Sequence, residues 1–285
     1  AAKQCSNEEP AIYQAERDIQ GQLLAKLEKP LREALAQNRF YLAFQPQVQP
    51  DQTTPIYKGA EALLRWQDPI LGNIRPDEAV LVAEQLGLMP QLTRWVIHAA
   101  RREFSQLSQA GLIGSLSINL TPSNLLDTRL VHEVENALTL WNIPGERLIF
   151  EITESAVIED LEAPIASLYA LKALGCKLAL DDFGTGYASL SYLKRLPIDE
   201  LKIDQSFIRT INHSETDAHI VESVIKLAHT LNLSVVAEGV EDLATLETLS
   251  AYGCNLIQGY YFSRPLAPND LLKFYQNLQL PLKSK

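Results

Sequence analysis

The sequence is poor in sulfur and in long apolar runs, and each shortage excludes a class of protein. Its three cysteines, Cys5, Cys176 and Cys254, are an odd number without metal-ligand spacing, which predicts reduced thiols in a cytoplasmic setting instead of a disulfide framework. No stretch approaches the run of about 20 apolar residues that crosses a bilayer, and no signal peptide is recognisable. We therefore expect a soluble segment that makes no membrane contact itself.

Basic residues are also scarce, which limits the kind of ligand. The chain carries 25 lysines and arginines against 35 aspartates and glutamates, a formal net charge of −10. Proteins that bind DNA or RNA polymers rely on basic side chains to replace the counterions of the phosphates. The charge balance therefore argues against a nucleic-acid polymer as partner. A ligand that carries phosphate would need cations recruited at its own site.

The start of the chain indicates a segment of a longer polypeptide, because residue 1 is alanine and Met89 is the single methionine. We expect an upstream domain, with this segment either cytoplasmic or the cytoplasmic part of a membrane-anchored protein. Apolar residues recur at helical steps over residues 11–38, and Pro30 is expected to kink or divide that helix. We predict an N-terminal helical extension or linker over residues 1–30 and a barrel domain over residues 31–285.

Beyond Arg39, short apolar segments alternate with longer amphipathic ones. The strand candidates are Phe40–Gln45, Tyr57–Arg65, Ser115–Leu120, Arg147–Ile152, Lys177–Asp181, Glu200–Ile203, Leu233–Ala237 and Asn255–Gly259. The helix candidates are Asp77–Leu86, Gln91–Ala110, Leu126–Trp141, Leu161–Leu174, Asp217–Leu231, Leu243–Tyr252 and Pro268–Leu278. Eight strands that alternate with helices predict an α/β fold, a TIM-like (β/α)8 barrel, and the chain length fits one such barrel plus an extension.

The connection between the first two strand candidates departs from this alternation. It comprises only Pro46 to Ile56, with turn signals at Pro50, Asp51 and Pro55. A parallel crossover needs a dozen or more residues and usually a helix. We therefore predict that the first strand runs antiparallel to the second.

Polar residues recur where the strand candidates end, and this end of such a barrel carries the active site. They are Glu61, Arg65, Asn119, Glu151, Asp181, Asp182, Lys202, Asp204, Glu238 and Gln258. A single aspartate or asparagine in this place can merely cap the following helix. Glutamate and lysine are poor caps, and acids are disfavoured in strands. The recurrence around the barrel therefore favours one shared site.

Four of these residues offer hard oxygen donors: Glu61, Asn119, Glu151 and Asp181. Three converging carboxylates repel each other without a cation, and Mg²⁺ or Mn²⁺ prefers such ligands. In the adjacent pair Asp181-Asp182, one carboxylate can bridge two ions while the other binds the second ion. Two-metal phosphoester hydrolysis uses that arrangement, and we therefore expect two ions.

Lys202 lies among these acids at the end of an apolar strand. It is either a simple charge partner of the acids or the group that orients or deprotonates an attacking water and stabilises the transition state. After Asp182, the glycines Gly184 and Gly186 flank Thr185. Such a loop can approach a phosphate closely, because glycine permits unusual backbone angles.

These segments together resemble a known family. Glu61-Ala62-Leu63 is the tripeptide for which the EAL cyclic di-GMP phosphodiesterases are named. The seven other matching segments are Gln45-Pro46, Ile118-Asn119-Leu120, Phe150-Glu151-Ile152-Thr153-Glu154, Asp181-Asp182-Phe183-Gly184-Thr185-Gly186-Tyr187, Leu201-Lys202-Ile203-Asp204, Ala237-Glu238-Gly239-Val240-Glu241 and Gln258-Gly259-Tyr260-Tyr261-Phe262. Seven segments in order are far more specific than the tripeptide alone.

The resemblance implies a metal-dependent phosphodiesterase that opens cyclic di-GMP to linear pGpG with a metal-activated water, and a homodimer. The metal ligands that it implies are Glu61, Asn119, Glu151, Asp181 and Asp182. The catalytic residues are Glu61, Lys202, which activates the water, and Glu238. The substrate-binding residues are Gln45, Gln258 and Arg65, which suits phosphate recognition. The residues that stabilise the glycine loop are Glu154 and Glu241.

Two alternatives stay open on the sequence. Members of such a family also include catalytically inactive receptors of cyclic di-GMP and interaction modules, marked by loss of a ligand or of the lysine, but here the full set is present. A proton-abstracting barrel enzyme of the enolase type also combines a lysine with Mg²⁺-binding carboxylates. It does not account for Asn119 as a ligand or for the aspartate pair. Asp68, where the family commonly has histidine, departs from the pattern without touching a predicted ligand.

Overall fold

The computed structural model describes residues 8–51, 54–154, 162–184 and 193–279. The described chain forms two compact units. One comprises the residues up to Tyr41 together with Leu64–Leu92, and the other comprises Leu42–Leu63 and the residues from Thr93 onward. Among the predicted site residues, Arg65 belongs to the first unit and the others belong to the second.

Nine strands of the described chain form one sheet. They are β1 (Phe40–Gln49), β2 (Ile56–Asp68), β3 (Gly72–Ile74), β4 (Ser115–Leu120), β5 (Leu148–Thr153), β6 (Lys177–Phe183), β7 (Glu200–Ile203), β8 (Ser234–Ala237) and β9 (Leu256–Gln258). Their order is β1-β9-β8-β7-β6-β5-β4-β2-β3, and β1 also pairs with β2. This last pairing closes eight strands into a ring, while β3 is a hairpin partner of β2. The predicted TIM-like barrel is confirmed.

The first strand opposes the other strands of the barrel. β1 pairs antiparallel with β9, with Gln47 opposite Gln258 and Val48 opposite Ile257. The pairs from β2–β4 around to β8–β9 are all parallel. Only residues 50–55 join β1 to β2, which is too short for a parallel crossover. The predicted antiparallel first strand is confirmed.

The helices of the described chain follow or precede these strands. They are α1 (Glu8–Gln37), α2 (Pro76–Gln85), α3 (Met89–Gln109), α4 (Pro122–Leu125), α5 (Leu130–Trp141), α6 (Glu162–Ala173), α7 (Gln205–Thr210), α8 (Glu215–Thr230), α9 (Leu243–Ala251) and α10 (Pro268–Leu278), with a 3-10 turn at Gly145–Arg147. The sequence patterns missed β3, α4 and α7. All three are short, so they carry too few residues to establish a period.

The hydrophobic core of the second unit is built from alternate strand residues. Ile118, Phe150 and Ile152 are completely buried and belong to one cluster with apolar residues of α5, α6 and α8. Successive side chains of a strand point to opposite faces. The residues between them, among them Ser117 and Glu151, therefore point into the barrel. Apolar packing outside and polar groups inside place the chemistry at the barrel axis.

The first unit corrects one expectation about α1. This helix runs from Glu8 to Gln37 with Pro30 inside it, so the predicted division at Pro30 is wrong, while the predicted kink stays a prediction. Leu27, Leu31 and Ala34 are at most 1% exposed. Their spacing puts them on one helix face, and burial of that apolar face offsets the backbone hydrogen bond that a proline cannot donate.

Asp68 has a structural explanation at the turn between β2 and β3. Its Oδ1 atom accepts hydrogen bonds from the backbone N–H groups of Ile70 and Leu71, both at 2.9 Å, and Arg39 lies 3.8 Å from its Oδ2 atom. The hydrogen bonds from Leu71 and Ile70, together with the charge of Arg39, hold the pKa of Asp68 below its usual value. The residue that departs from the family pattern therefore fixes a tight turn.

Candidate active site

One lysine ammonium group is surrounded by four carboxylates at the carboxyl end of the parallel strands. Lys202 Nζ lies 2.6 Å from Glu238 Oε1, 2.7 Å from Glu151 Oε2, 3.0 Å from Asp181 Oδ2 and 3.5 Å from Glu61 Oε2. Its side chain is 1% exposed. We call these five residues the carboxylate ring.

Strand register explains why residues far apart in sequence meet here. Glu61 lies on β2, Glu151 on β5, Asp181 on β6 and Lys202 on β7, and all of these strands are parallel within the barrel. Glu238 follows β8 directly, and its N–H donates to the carbonyl of Ile203 at 3.2 Å. Parallel strands bring their carboxyl ends to one edge. The predicted convergence of the polar strand ends is therefore what the register produces.

Amide side chains complete the site beside Glu61. Asn119 Nδ2 donates to Glu61 Oε1 at 2.6 Å, and Gln258 Nε2 donates to Glu61 Oε2 at 2.6 Å. Gln258 also lies 3.4 Å from Gln45 Oε1. Its own Oε1 atom accepts from Gln47 Nε2 at 3.0 Å.

Gln47 is completely buried, and the sequence reasoning missed it. The signal was present, because Gln45, Gln47 and Gln49 occupy alternate positions of β1 and so face the same side.

The charges of the carboxylate ring do not balance. Four carboxylates against one ammonium group leave three formal negative charges in excess. Burial, reinforced by the charges of Glu61 and Asp181, raises the pKa of Glu151 well above its usual value. Burial likewise raises the pKa of Glu238 to about 8, although Lys202 opposes the shift. The site therefore has a strong affinity for protons or for metal cations.

For Glu61 and Lys202, by contrast, the surroundings favour the charged form. Burial tends to raise the pKa of Glu61, but the charge of Lys202 and the hydrogen bonds from Gln258 and Asn119 outweigh it, so the pKa is lowered. Burial alone would lower the pKa of Lys202. The surrounding carboxylates, with Glu151 and Glu238 foremost, raise it well above its usual value. Lys202 is therefore an ammonium ion throughout the neutral range.

The donor set fits divalent cations. Glu151 Oε1 is buried and has no hydrogen-bond partner among the described residues, although buried carboxylate oxygens are normally paired. Three carboxylate oxygens lie within 4.8 Å of one another, one each from Asp181, Asp182 and Glu238. Carboxylate and amide oxygens are the ligands that Mg²⁺ and Mn²⁺ prefer. The residues present can therefore hold such ions.

A bulge in β6 brings both members of the aspartate pair to the site. The pairing of β6 with β7 shifts register between Leu180 and Phe183, and Asp182 has a positive φ of 55°. In a regular strand, successive side chains point to opposite faces. The bulge turns Asp182 back toward the side of Asp181, so that adjacent residues act at one place.

The glycine loop is described only at its beginning. Glu154 Oε2 accepts from the N–H of Gly184 at 3.2 Å. Gly184 has a φ of 102°, and a side chain there would also collide with the ring of Phe207, so glycine is required. Thr185, Gly186 and Tyr187 lie outside the described residues.

A pocket of about 280 Å³ opens over the carboxylate ring. Its lining includes the predicted residues Gln45, Glu61, Asp181, Glu238, Glu241 and Gln258, and three that the sequence reasoning missed, Gln205, Arg209 and Tyr260. Arg209 Nη2 lies 3.8 Å from Glu241 Oε1, and both side chains are exposed.

Asp204 directly precedes α7, and its Oδ1 atom accepts a hydrogen bond from the N–H of Ser206 at 2.9 Å. This strand-end acid is a helix cap.

The structure describes other contacts for Arg65 and Glu241. Arg65, in the first unit, donates from Nη1 to the carbonyl of Leu64 at 2.8 Å. Glu241 stands at the pocket wall beside Arg209. Their assigned roles, substrate binding for Arg65 and loop stabilisation for Glu241, stay predictions.

A closed α/β barrel with an antiparallel first strand and an acidic site at its carboxyl end defines the class of protein. Comparison with known proteins then gives the family. The family model described as EAL domain matches residues 28–265, which is most of the chain. This chain belongs to the EAL domain family.

Several relatives are named as cyclic di-GMP phosphodiesterases. The chain is 39% identical over 92% of its length to the bifunctional diguanylate cyclase/cyclic di-GMP phosphodiesterase MucR of Pseudomonas aeruginosa, and 37% identical over 99% to the cyclic di-GMP phosphodiesterase NbdA of the same organism. It spans only 38% and 36% of those two proteins. A solved structure titled PaMucR phosphodiesterase, c-di-GMP complex, matches with a TM-score of 0.80 and 40% identity, covering 86% of this chain and 99% of that one.

Proposed function

We propose that this chain hydrolyses cyclic di-GMP to the linear dinucleotide pGpG. The observation that carries the proposal is the carboxylate ring around Lys202, in a chain whose relatives are named as cyclic di-GMP phosphodiesterases. A receptor without activity needs no such set of ligands. The excess of negative charge would also repel a phosphodiester unless cations are bound with it.

The residues that would hold divalent ions are Glu61, Asn119, Glu151, Asp181 and Asp182. Bound Mg²⁺ or Mn²⁺ would polarise the phosphodiester and lower the pKa of a coordinated water. The unpartnered Oε1 of Glu151 supports a bound ion. The cluster of one oxygen each from Asp181, Asp182 and Glu238, within 4.8 Å of one another, supports a second ion.

Lys202 positions the acids and stabilises negative charge. The surrounding carboxylates raise its pKa and keep it protonated in the metal-free protein, and we propose that it activates the attacking water by orienting it. The ammonium group holds Glu238 and Glu151 in place by charge-assisted hydrogen bonds. It also offsets charge that develops on the phosphoryl oxygens in the transition state.

Glu238 is the proposed proton acceptor. Burial raises its pKa to about 8 in the metal-free protein, and a group whose pKa lies near the working pH can both take and release a proton. As the water oxygen bonds to phosphorus, the water gives its proton to Glu238. The bond between phosphorus and O3′ breaks, and the proton held by Glu238 passes through solvent to O3′. The product carries a 5′-phosphate and a free 3′-hydroxyl group.

Substrate contacts are proposed for Gln45, Gln258 and Arg65. Gln258 is fixed by its contacts with Glu61 and Gln47, and it lines the pocket. Its second N–H makes only a long contact of 3.4 Å with Gln45, and we propose that this N–H turns to a phosphate oxygen at low entropic cost. Glu154, through its contact with Gly184, is proposed to steady the loop after β6, and Glu241 is proposed to assist it.

The test is product formation from cyclic di-GMP by the purified protein with Mg²⁺, with and without EDTA, followed by chromatography of pGpG. Glu61→Ala should abolish turnover, because it removes a ligand and the anchor of Asn119 and Gln258. Lys202→Ala should keep binding and lower kcat. Asp270→Ala, an exposed residue paired with Lys273, should leave the rate unchanged. Binding without any pGpG would instead support a receptor.

We further propose that this chain is the cytoplasmic catalytic part of a longer protein, with residues 1–30 leading from an upstream domain. The curated relatives extend well beyond the matched part. Within the described part of the chain, no helix combines the length and hydropathy of a membrane span. The predicted homodimer stays a prediction, and sedimentation with and without cyclic di-GMP tests it.

A further inference from the structure

Gln47 is a buried polar residue to which the proposed hydrolysis assigns no role. It lies opposite Gln258 in the register of β1 and β9, it is completely buried, and it is not among the residues that line the pocket over the carboxylate ring. Its Nε2 atom donates to Gln258 Oε1 at 3.0 Å, while its own Oε1 atom is buried without a hydrogen-bond partner among the described residues. An unpaired buried acceptor costs free energy. A methionine of similar length would avoid that cost, so stability alone does not explain a glutamine here.

The hydrogen bond from Gln47 determines which end of the Gln258 amide faces Glu61. The oxygen and nitrogen ends of a glutamine amide are similar in shape, so only their hydrogen bonds distinguish them. While Gln258 Oε1 accepts from Gln47, Gln258 Nε2 donates to Glu61 Oε2 at 2.6 Å. The reverse orientation would place an oxygen against the carboxylate of Glu61 and two NH2 groups against each other. Two hydrogen bonds would become two repulsive contacts, and Gln47 therefore holds the donor of Gln258 toward Glu61.

Glu61 depends on amide donors for its orientation. Asn119 Nδ2 donates to its Oε1 atom at 2.6 Å, and Gln258 Nε2 donates to its Oε2 atom at the same distance of 2.6 Å. Lys202 Nζ lies 3.5 Å from Glu61, which is its longest contact in the carboxylate ring. The two amides therefore orient this carboxylate more closely than the ammonium group does.

We propose that Gln47 is a positioning residue of the active site. By donating to Gln258, it fixes the carboxylate of Glu61, a proposed ligand of a divalent ion, and the second N–H of Gln258, a proposed donor to the substrate phosphate. This inference rests on the proposed function. Removing a hydrogen-bond partner of a metal ligand weakens metal binding by about 10–100-fold. Gln47 acts one contact further out, so its removal should weaken Mg²⁺ binding by about tenfold, at the lower end of that range.

Calorimetric titration of the full chain with Mg²⁺ tests this role through a double-mutant cycle of Gln47→Met and Gln258→Met. Gln258→Met should weaken Mg²⁺ binding more than Gln47→Met does. The double variant should bind Mg²⁺ no more weakly than Gln258→Met, because Gln47 acts only through Gln258. The matched control is Gln49→Met, the same substitution two residues further along β1, beside a separate cavity. It should leave the Mg²⁺ affinity unchanged.

Two further measurements on Gln47→Met separate positioning from a general loss of structure. In EDTA its Tm should stay close to that of the wild type, because Gln258 Oε1 loses its donor while the unpaired oxygen of Gln47 disappears. With Mg²⁺ saturating, its KM for cyclic di-GMP should rise while kcat changes little. A contact to the phosphate that is equally strong in the ground state and the transition state affects KM alone.

Wild-type Mg²⁺ affinity and KM in Gln47→Met would overturn the inference, and so would a double variant that binds Mg²⁺ more weakly than Gln258→Met. A large fall of the Tm of Gln47→Met in EDTA would also overturn it, because the residue would then act through stability. A wild type that binds Mg²⁺ without forming pGpG would refute the proposed hydrolysis alone, since the Mg²⁺ cycle still reports on Gln47. A wild type that does not bind Mg²⁺ would overturn both.

Discussion

Lys202→Met offers the sharpest test of the carboxylate ring, because methionine keeps much of the side-chain volume and removes the charge. Four carboxylates lose their common partner, and three of them, Glu61, Glu151 and Asp181, are buried. Removing one member of a buried ion pair costs about 3–5 kcal/mol. At about 2–4 °C per kcal/mol for a domain of 150–250 residues, the Tm in EDTA should fall by about 6–20 °C.

Divalent cations should reverse much of that loss. The metal and the ammonium group neutralise the same acids, so Mg²⁺ should raise the Tm of Lys202→Met by more than it raises that of the wild type. The assay is thermal unfolding followed by circular dichroism, in EDTA and over a Mg²⁺ titration. The matched control is Lys226→Met, whose exposed pair with Glu222 contributes about 0.5 kcal/mol or less. If Lys202→Met and Lys226→Met melt alike in EDTA, the electrostatic role of Lys202 is refuted.

Three further predictions concern Glu238, the buried cysteines and the cap of α9. The folded-state pKa of Glu238, about 8 against 4.5 for the free group, means that the metal-free folded protein keeps a proton that the unfolded chain releases. Protonated Glu238 therefore stabilises the folded state fully below about pH 4.5, and this stabilisation is lost as the pH rises through 8. A Tm in EDTA that does not fall between these pH values would contradict the prediction. Burial raises the thiol pKa values of Cys176 to about 11 and of Cys254 to about 12, so iodoacetamide should modify both slowly at neutral pH and rapidly in urea, as mass spectrometry of the peptides can show. Asp242 caps α9 through a 2.8 Å hydrogen bond from the N–H of Thr245. Asp242→Ala should therefore lower the free energy of unfolding, measured by urea titration, by about 0.5–2 kcal/mol. An unchanged urea midpoint would show that the cap does not stabilise the protein.

The fold could be predicted because its signals are local. Alternating apolar residues such as Leu116, Ile118 and Leu120 reveal strands one at a time. The short connection after β1 determines the direction of that strand without knowledge of its partners. Pro30 shows the limit of this approach. Its local preference predicts a break, but α1 continues through it, because the buried face at Leu27 and Leu31 belongs to the tertiary structure.

Part of the candidate site could also be predicted from local sequence signals. Glu61, Glu151 and Lys202 stand out because charged residues are unfavourable in strands. Asp204 carried the same signal and proved to be a helix cap. Residue type at a strand end therefore indicates a candidate, and only its neighbours decide between a site and a cap.

The sequence by itself determined the barrel, its reversed first strand and the chemical identity of the donors, because each depends on residues close together along the chain. The tertiary structure decided how these donors act. It set the raised pKa values of Lys202 and Glu238, since these depend on distances between different strands. It also turned Asp182 toward the site through a bulge and buried Gln47 against Gln258. Electrostatic coupling falls off with distance in space and not along the chain, which is why no local pattern could reveal it.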